Sequence, residues 1–433
     1  MGAGRYDVIV VGARVAGATT AMLLARQGLR VLAVDRVSFP SDTISSHQLQ
    51  VPGVALLQRW GLVHHLVAAG TPPIRRVRLD VGGGLVMDGQ YAPYMGVDVI
   101  YSPRRTVLDT ILVDAARKSG AEVRENFRVA EVTRSDGRVT GIRGRDRGGP
   151  LVSETATLVI GADGKRSFVA DAVGARRYHE RPVQAFVTYS YWSGVPAPGW
   201  EIYQRPGRAV AVYPTNDQLT TIYLAAPIAE FASARTDLEG NYLRALDLCG
   251  DLGDRVRSGT RAERLRTTPD QPNVFRQSHG PGWALVGDAG VVMDSISAQG
   301  MTHALRDADH LCAAVVAGLG GSRPLAAALQ EHQHQRDQAI RGMYDFTLDL
   351  ASFPPLTSFR RLFYAAAAGD QRQTDRLIGV LAGTVPAEEY FSPAAMLSVL
   401  RSLGIQKLGR AEANEVFTIC ASGVLPDSPR VKP

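Results

Sequence analysis

The chain has 433 residues, 45% of them hydrophobic and 21% charged, a composition ordinary for a globular enzyme and long enough for two domains plus a tail. It contains no apolar run of about 18 residues, so no integral membrane segment is expected, and the first strand-like run begins at Tyr6, too early for a signal peptide. The net charge is +6, but the basic residues are mostly scattered arginines, with lysine only at Lys118, Lys165, Lys407 and Lys432. No basic stripe with interleaved aromatics marks a partner nucleic acid. Cys249, Cys312 and Cys420 lack metal-ligand or C-x-x-C spacing, which points to a reducing cytoplasm, to thiols used as small apolar residues, and to neither a metal site nor a disulfide framework.

Residues Tyr6–Val11 form an apolar, β-branched run that reads as a buried parallel strand, and residues 16–27 favour an amphipathic helix. Between them lies Gly12-Ala13-Arg14-Val15-Ala16-Gly17. A strand entering a helix through Gly12 and Gly17 brings backbone N–H groups and the positive end of a helix to one point, which suits a pyrophosphate; Ala13 and Ala16 belong to the same loop. A second buried strand, Val31–Val34, ends in Asp35, close to the spacing at which a carboxylate accepts hydrogen bonds from an adenosine ribose, and Arg36 beside it is counted with the nucleotide site. Arg14 stands where G-x-G-x-x-G has its middle glycine. A side chain there crowds a close phosphate unless the guanidinium turns outward and pairs with it, and that pairing is the expectation.

Further along, Val107, Leu108, Ile111 and Leu112 space as a helix that opens at Arg105 after Ser102-Pro103; a cation at this end of a helix opposes the dipole and points to a bound anion. Residues 127–160 read as a meander with turns such as Ser135-Asp136-Gly137, and the last of its strands runs into Gly161-Ala162-Asp163-Gly164. From about residue 176 to 275 the character changes to aromatic and β-branched strands separated by Gly, Pro, Asn and Asp, an antiparallel sheet on which Tyr189 and Tyr191 face one side. Residues 283–286 form another strand leading into Gly287-Asp288-Ala289, and a long helical pattern starts near residue 298. The remainder from Pro324 is largely helical, broken at Pro354-Pro355 and Pro386. It reads as packing and lid support, with a homodimer contact as the lesser alternative.

In this order the three glycine segments resemble those of the FAD-dependent oxidoreductases of the p-hydroxybenzoate hydroxylase fold, which include single-component aromatic hydroxylases, flavin halogenases and geranylgeranyl reductases. The resemblance covers roughly residues 5–320. It implies an α/β (α+β) architecture: a Rossmann-like FAD-binding domain over 1–175 and 276–325, an antiparallel β-sheet substrate domain inserted at 176–275, and a C-terminal helical tail over 326–433. It also implies that the opening loop holds the ADP half of FAD, that Asp163 lies near the pyrophosphate and the pyridine nucleotide path, and that Gly287 and Asp288 hold the ribityl chain. Arg105 is then placed against the FAD, and the backbone of Gly300 and Met301 against the flavin's pyrimidine end. His47, in the 41–50 segment that this fold brings to the flavin edge, is the catalytic candidate, relaying a proton or orienting a phenol; the alternative is an ordinary hydrogen-bonding residue.

The implied activity is monooxygenation. NAD(P)H is the transient reductant of FAD, O2 supplies the oxygen, and a small, largely apolar or aromatic organic substrate accepts it. With no second G-x-G-x-x-G, NAD(P)H is expected to dock along the cleft near Asp163. A reductase or dehydrogenase acting on C=C bonds, similar to the geranylgeranyl reductases, is the alternative, because the aromatic hydroxylases carry prolines and an asparagine where this chain has Asp294-Ser295 and Thr302-His303. Halogenation is disfavoured: those relatives depend on an active-site lysine and a Trp-x-Trp-x-Ile-Pro segment, which Trp192-Ser193-Gly194-Val195-Pro196 does not reproduce. A non-catalytic FAD-binding protein is the remaining reading.

Overall fold

The computed structural model describes residues 6–401; Cys420, Lys407, Lys432 and the end of the tail lie outside the described residues. Its first sheet is built on the opening strand Tyr6–Val11, which pairs in parallel with Val31–Val34 on one side and Val152–Gly161 on the other. Glu122–Arg124 and Trp283–Leu285 extend the parallel order at the two sides. Val8 to Val11 and the whole of Val31–Val34 are buried, as expected of parallel strands covered on both faces, and this is why both read as unbroken apolar runs. The strands Phe127–Ser135 and Arg138–Asp146 form the expected meander with the first half of Val152–Gly161.

Helix Val15–Arg26 crosses over the sheet and packs against two others, Arg105–Lys118 and Gly300–Leu319. Small residues on it, Ala18 and Ala21, let these helices approach closely around Met22, Leu108 and Leu305. Leu325–Ala351 then lies along Gly300–Leu319.

The second sheet runs in the order Thr260–Arg261, Ala185–Ser193, Thr220–Pro227, Arg208–Pro214, Trp200–Arg205, Val77–Gly82, Leu85–Gly89. Its strands are antiparallel neighbours except at one seam, where Trp200–Arg205 runs parallel to Val77–Gly82. The hairpin Val77–Gly89 falls inside the stretch 1–175 that the sequence assigns to the other domain. Leu79 and Met87, opposite one another, bury the face it shares with the sheet. The segment expected to be sheet alone also contains helices Leu238–Asp247 and Leu252–Ser258, which cover one face through Tyr242, Leu246 and Val256 against Trp192, Val212 and Ile222. The opposite face carries Val187, Tyr189, Tyr191 and Tyr223, in keeping with period-two alternation.

Helices Ser358–Ala368 and Gln371–Leu381 pack on the edge strand Leu85–Gly89. Asp375 accepts from the backbone N–H of Gln90 at 3.0 Å, and Gln371 donates to the Asp88 carbonyl at 3.1 Å, so the open edge of the sheet is covered. Cys249 and Cys312 are buried. Among the described residues no helix is long and apolar enough to cross a membrane.

Candidate functional site

The three glycine segments meet at the C-terminal ends of the parallel strands. Gly12 sits at φ +99°, and a Cβ there would collide with the Ala162 carbonyl, so the first and second segments touch backbone to backbone. Gly287 sits at φ +61°, where a Cβ would stand 2.7 Å from that of Ala16, which joins the third segment to the first. The ladder bonds agree: the Ala162 N–H donates to Val11 at 2.7 Å and the Val286 N–H to Gly161 at 3.0 Å. The cleft opening over this junction has a volume of about 820 Å³, at the upper end of the range for small-molecule and cofactor sites.

Gly12 and Ala16 line the cleft, while Ala13 is buried behind the loop and Gly17 packs on the Gly12 carbonyl. Asp35 lies at the rim, where its carboxylate accepts from the N–H of Ala13 at 2.7 Å and of Val37 at 3.1 Å; Arg36 stands exposed beside it. Arg14 also lines the cleft, but protein groups hold its guanidinium. It donates to Asp109 at 2.6 Å, to the Ser41 hydroxyl at 2.8 Å and to the Ser41 carbonyl at 3.1 Å. Arg105 grips the same Asp109 with two bonds of 3.0 Å each. A fully buried carboxylate is thus shared by two arginines, and the trio leaves one net positive charge at the cleft wall.

Asp163 turns its carboxylate into its own chain, accepting from the Ser167 hydroxyl and, at 3.1 Å, from the Val169 N–H, so it supports Ser167, the N-cap of the helix Phe168–Val173. Asp288 borders the cleft. Burial raises its pKa, and Lys165, Arg105 and Arg276 partly offset that by holding the charge. Gly300 and Met301 form the first turn of a 20-residue helix that opens on the cleft, with Ala298 held at φ +54° just before it.

His47 is not at the cleft surface. Its ring is fully buried, shares a hydrogen bond of 2.5 Å with the Tyr191 hydroxyl, and lies edge-on to Tyr189. Burial, reinforced by Arg105, Arg104 and Arg266, lowers its pKa to about 3, so the imidazole is neutral near pH 7. Of the sheet aromatics, Tyr189 and Tyr223 reach the cleft with Val187. Phe186 packs instead on Phe231, and Tyr213 donates to the Ser46 carbonyl.

Several further groups build the site. Asp109 had a signal, an acidic residue inside the apolar stripe of a helix and four positions after Arg105. Asp307 accepts from the Gly287 N–H at 2.7 Å and is bonded to His332 at 2.8 Å, fixing the third segment from behind. Lys165 lines the cleft, with its ammonium held by Asp270. Asp294 and Ser295 stand in the wall below the second sheet.

A dinucleotide loop, a shared arginine pair and a Gly-Asp turn facing one cleft define a flavin-binding protein. The chain belongs to the FAD binding domain family, whose model matches residues 5–347. It is 24% identical over 430 residues to the tryptophan 2-halogenase of Chondromyces crocatus, covering 96% of this chain and 76% of that protein. With the ubiquinone hydroxylase UbiL of Rhodospirillum rubrum it shares 26% identity over 359 residues, 77% of this chain and 79% of the other. The solved structure of the myxobacterial chondrochloren halogenase CndH superposes with a TM-score of 0.73 at 20% identity, over 94% of this chain and 98% of that one, which establishes the common fold. The chain is an FAD-dependent oxidoreductase of the aromatic hydroxylase-like superfamily. The residues present fit the cofactor: Gly12 and Gly287, which carry no side chain, line the cleft, and the wall beside them carries net positive charge.

Proposed function

We propose that the protein is an NAD(P)H-dependent monooxygenase that transfers one atom of O2 to a small, largely apolar or aromatic organic substrate. The observation that carries this reading is the sheet face of Val187, Tyr189 and Tyr223, which walls the same cleft that Gly300 and Met301 line. FAD, when bound, supplies the two-electron redox chemistry and the reaction with oxygen that no side chain provides. The Gly12 loop receives the pyrophosphate with its backbone N–H groups, and the Arg14–Asp109–Arg105 trio opposes its charge through a net +1 rather than through a free guanidinium. Asp35 takes the ribose end, with Arg36 beside it. Asp288 accepts from the ribityl hydroxyls, and the first-turn N–H groups of Gly300 and Met301 stabilise negative charge at the pyrimidine end. Lys165 and Arg166, both paired with Asp270, form a cationic rim by Asp163 along which NAD(P)H docks.

His47 serves this site by position. Neutral and bonded to Tyr191, it ties the 41–50 loop to the sheet and helps keep water from the pocket. Halogenation is the second reading, favoured by the similarity to tryptophan 2-halogenase and by Lys165 in the cleft, although Asp270 engages that ammonium. Reduction of C=C bonds uses the same cofactor loops and is tested alongside.

The test is product mass after incubating FAD-loaded protein with NADPH, 18O2, bromide and a panel of phenols, anilines and isoprenoid alkenes. Gain of one 18O supports the proposal. Gain of bromine in its place, or of two hydrogens, overturns it in favour of the corresponding rival. Asp288→Ala is expected to purify with less than about a tenth of the FAD of the parent, since a carboxylate that accepts from ribityl hydroxyls is worth more than one neutral hydrogen bond. Full flavin content in that variant removes the role given to Asp288.

A further inference from the structure

The wall of the cleft beneath the second sheet is made by Val187, Tyr189, Tyr223, Gln271, Asp294 and Ser295. Its polar side chains are paired among themselves, with two exceptions, the Tyr189 hydroxyl and one oxygen of Asp294. The Ser295 hydroxyl is bonded to the Tyr223 hydroxyl at 3.0 Å and receives the Gln271 amide at 2.9 Å. Asp294 is only 1% exposed and is fixed along its backbone, where its own N–H donates to Asn273 at 2.8 Å. One carboxyl oxygen, Oδ1, accepts from the Ile296 N–H at 2.9 Å. The other, Oδ2, is buried and has no partner.

A buried carboxyl oxygen left unpaired is costly, and native structures rarely keep one without a use for it. The neighbours of Asp294 do not relieve the cost: Lys165 acts on it only at a distance, and the Tyr223 hydroxyl is already spent on Ser295. The rest of the wall is rings, a valine and the Ser295 and Gln271 side chains already bonded to one another, so a ligand lying here would be largely apolar apart from what it offers to this carboxyl and to the Tyr189 hydroxyl.

We propose that Asp294 is the polar anchor of the substrate pocket, its Oδ2 bonding a hydroxyl or amino group on the organic ligand while the ligand's apolar body lies against Val187, Tyr189 and Tyr223. The assignment deepens the monooxygenase reading and rests on its placement of the substrate in this cleft. It narrows the substrate to molecules that join an apolar skeleton to a hydrogen-bond donor, and a pure hydrocarbon of the same shape leaves Oδ2 buried and unpaired. Burial also raises the Asp294 pKa from 3.8 to about 7, so both the accepting carboxylate and the donating acid are populated near neutrality.

The experiment is calorimetric titration of the FAD-loaded protein with phenol, aniline and toluene, which share a ring and differ in the donor. Phenol and aniline are expected to bind about tenfold more tightly than toluene to the parent protein, the equivalent of one well-placed hydrogen bond to a charged or buried group. In Asp294→Leu the ratio should fall to about one, and Asp294→Asn, which keeps a carbonyl acceptor in the same volume, should retain part of it. Equal affinity for phenol and toluene in the parent overturns the proposal without needing a variant. So does a ratio unchanged in Asp294→Leu, or failure of all three probes to bind. Flavin content measured on the same samples separates this from the proposed function. Flavin-loaded protein with no preference removes the anchor alone, whereas flavin-free protein that still prefers phenol removes the redox reading and keeps the anchor.

Discussion

Asp109 accounts for how an arginine can occupy a position normally reserved for glycine. Its carboxylate, with no exposed surface, holds the Arg14 guanidinium at 2.6 Å. Asp109→Ala leaves two arginines without their counter-charge, Arg105 buried and Arg14 mostly so, and is expected to destabilise the fold by about 3–5 kcal/mol, read from urea unfolding, with FAD lost in parallel. Gly12→Ala is expected to cost about 2–4 kcal/mol, because it combines a positive φ with a Cβ placed into the Ala162 carbonyl. Two buried titrating groups shift stability in opposite directions. Asp294, raised from 3.8 to about 7, holds in the native state a proton that the unfolded chain releases, so its contribution is present below pH 3.8 and is lost as pH rises towards 7. His47, lowered from 6.5 to about 3, stays neutral in the fold while the unfolded chain takes up a proton, so its contribution is present above pH 6.5 and is lost as pH falls towards 3. Unfolding free energy measured against pH should therefore decline less steeply from 4 to 7 in Asp294→Asn, and fall less steeply below 6.5 in His47→Gln; superimposable slopes would refute both assignments.

Elements whose signals are local were legible in the sequence. Tyr6–Val11 and Val31–Val34 have the bounds their apolar runs suggest, and the helix opening at Arg105 follows its 3–4 spacing. Helices Leu238–Asp247 and Leu252–Ser258 are less legible in the sequence, although the first carries its own marks: Asp237 caps it by accepting from Gly240 at 2.9 Å, and Tyr242, Ala245 and Leu246 fall on one buried side. Aromatic and β-branched strands on either side of them dominate the pattern of the segment. Contacts between distant parts of the chain left no such trace. Nothing near Arg14 announces Asp109, 95 positions away, and nothing near His47 announces Tyr191, 144 away. The glycines of the cofactor loops were readable because backbone approach demands them wherever the partner comes from, whereas a side-chain pair depends on which partner arrives. At this scale the cover over the sheet edge is also testable. Ile378 is fully buried beside Gly89, so Ile378→Asp inserts an unpaired carboxylate between helix and strand. It is expected to lower stability by about 3–5 kcal/mol and to increase light scattering as the edge strand is uncovered.

Across the whole molecule, the two sheets are joined by more than their packing. The chain leaves the first sheet for the hairpin Val77–Gly89, returns for the meander, leaves again for Ala185–Ser193 and its neighbours, and returns once more before Trp283–Leu285. The loop 41–50 is fastened across the junction by Tyr213, by Tyr191 through His47, and by Arg266, which meets Asp42 at 3.0 Å. The two sheets are therefore joined by four crossings of the chain and by several bonds.

That parallel seam between Val77–Gly82 and Trp200–Arg205 sets a limit on how such proteins can exchange parts. A recombinant in which only the continuous block around residues 185–268 comes from a relative would inherit one side of the seam from each parent, with Trp200 and Ile202 facing a hairpin they were not selected against. A working graft of the second sheet would therefore have to carry two separate stretches of sequence at once.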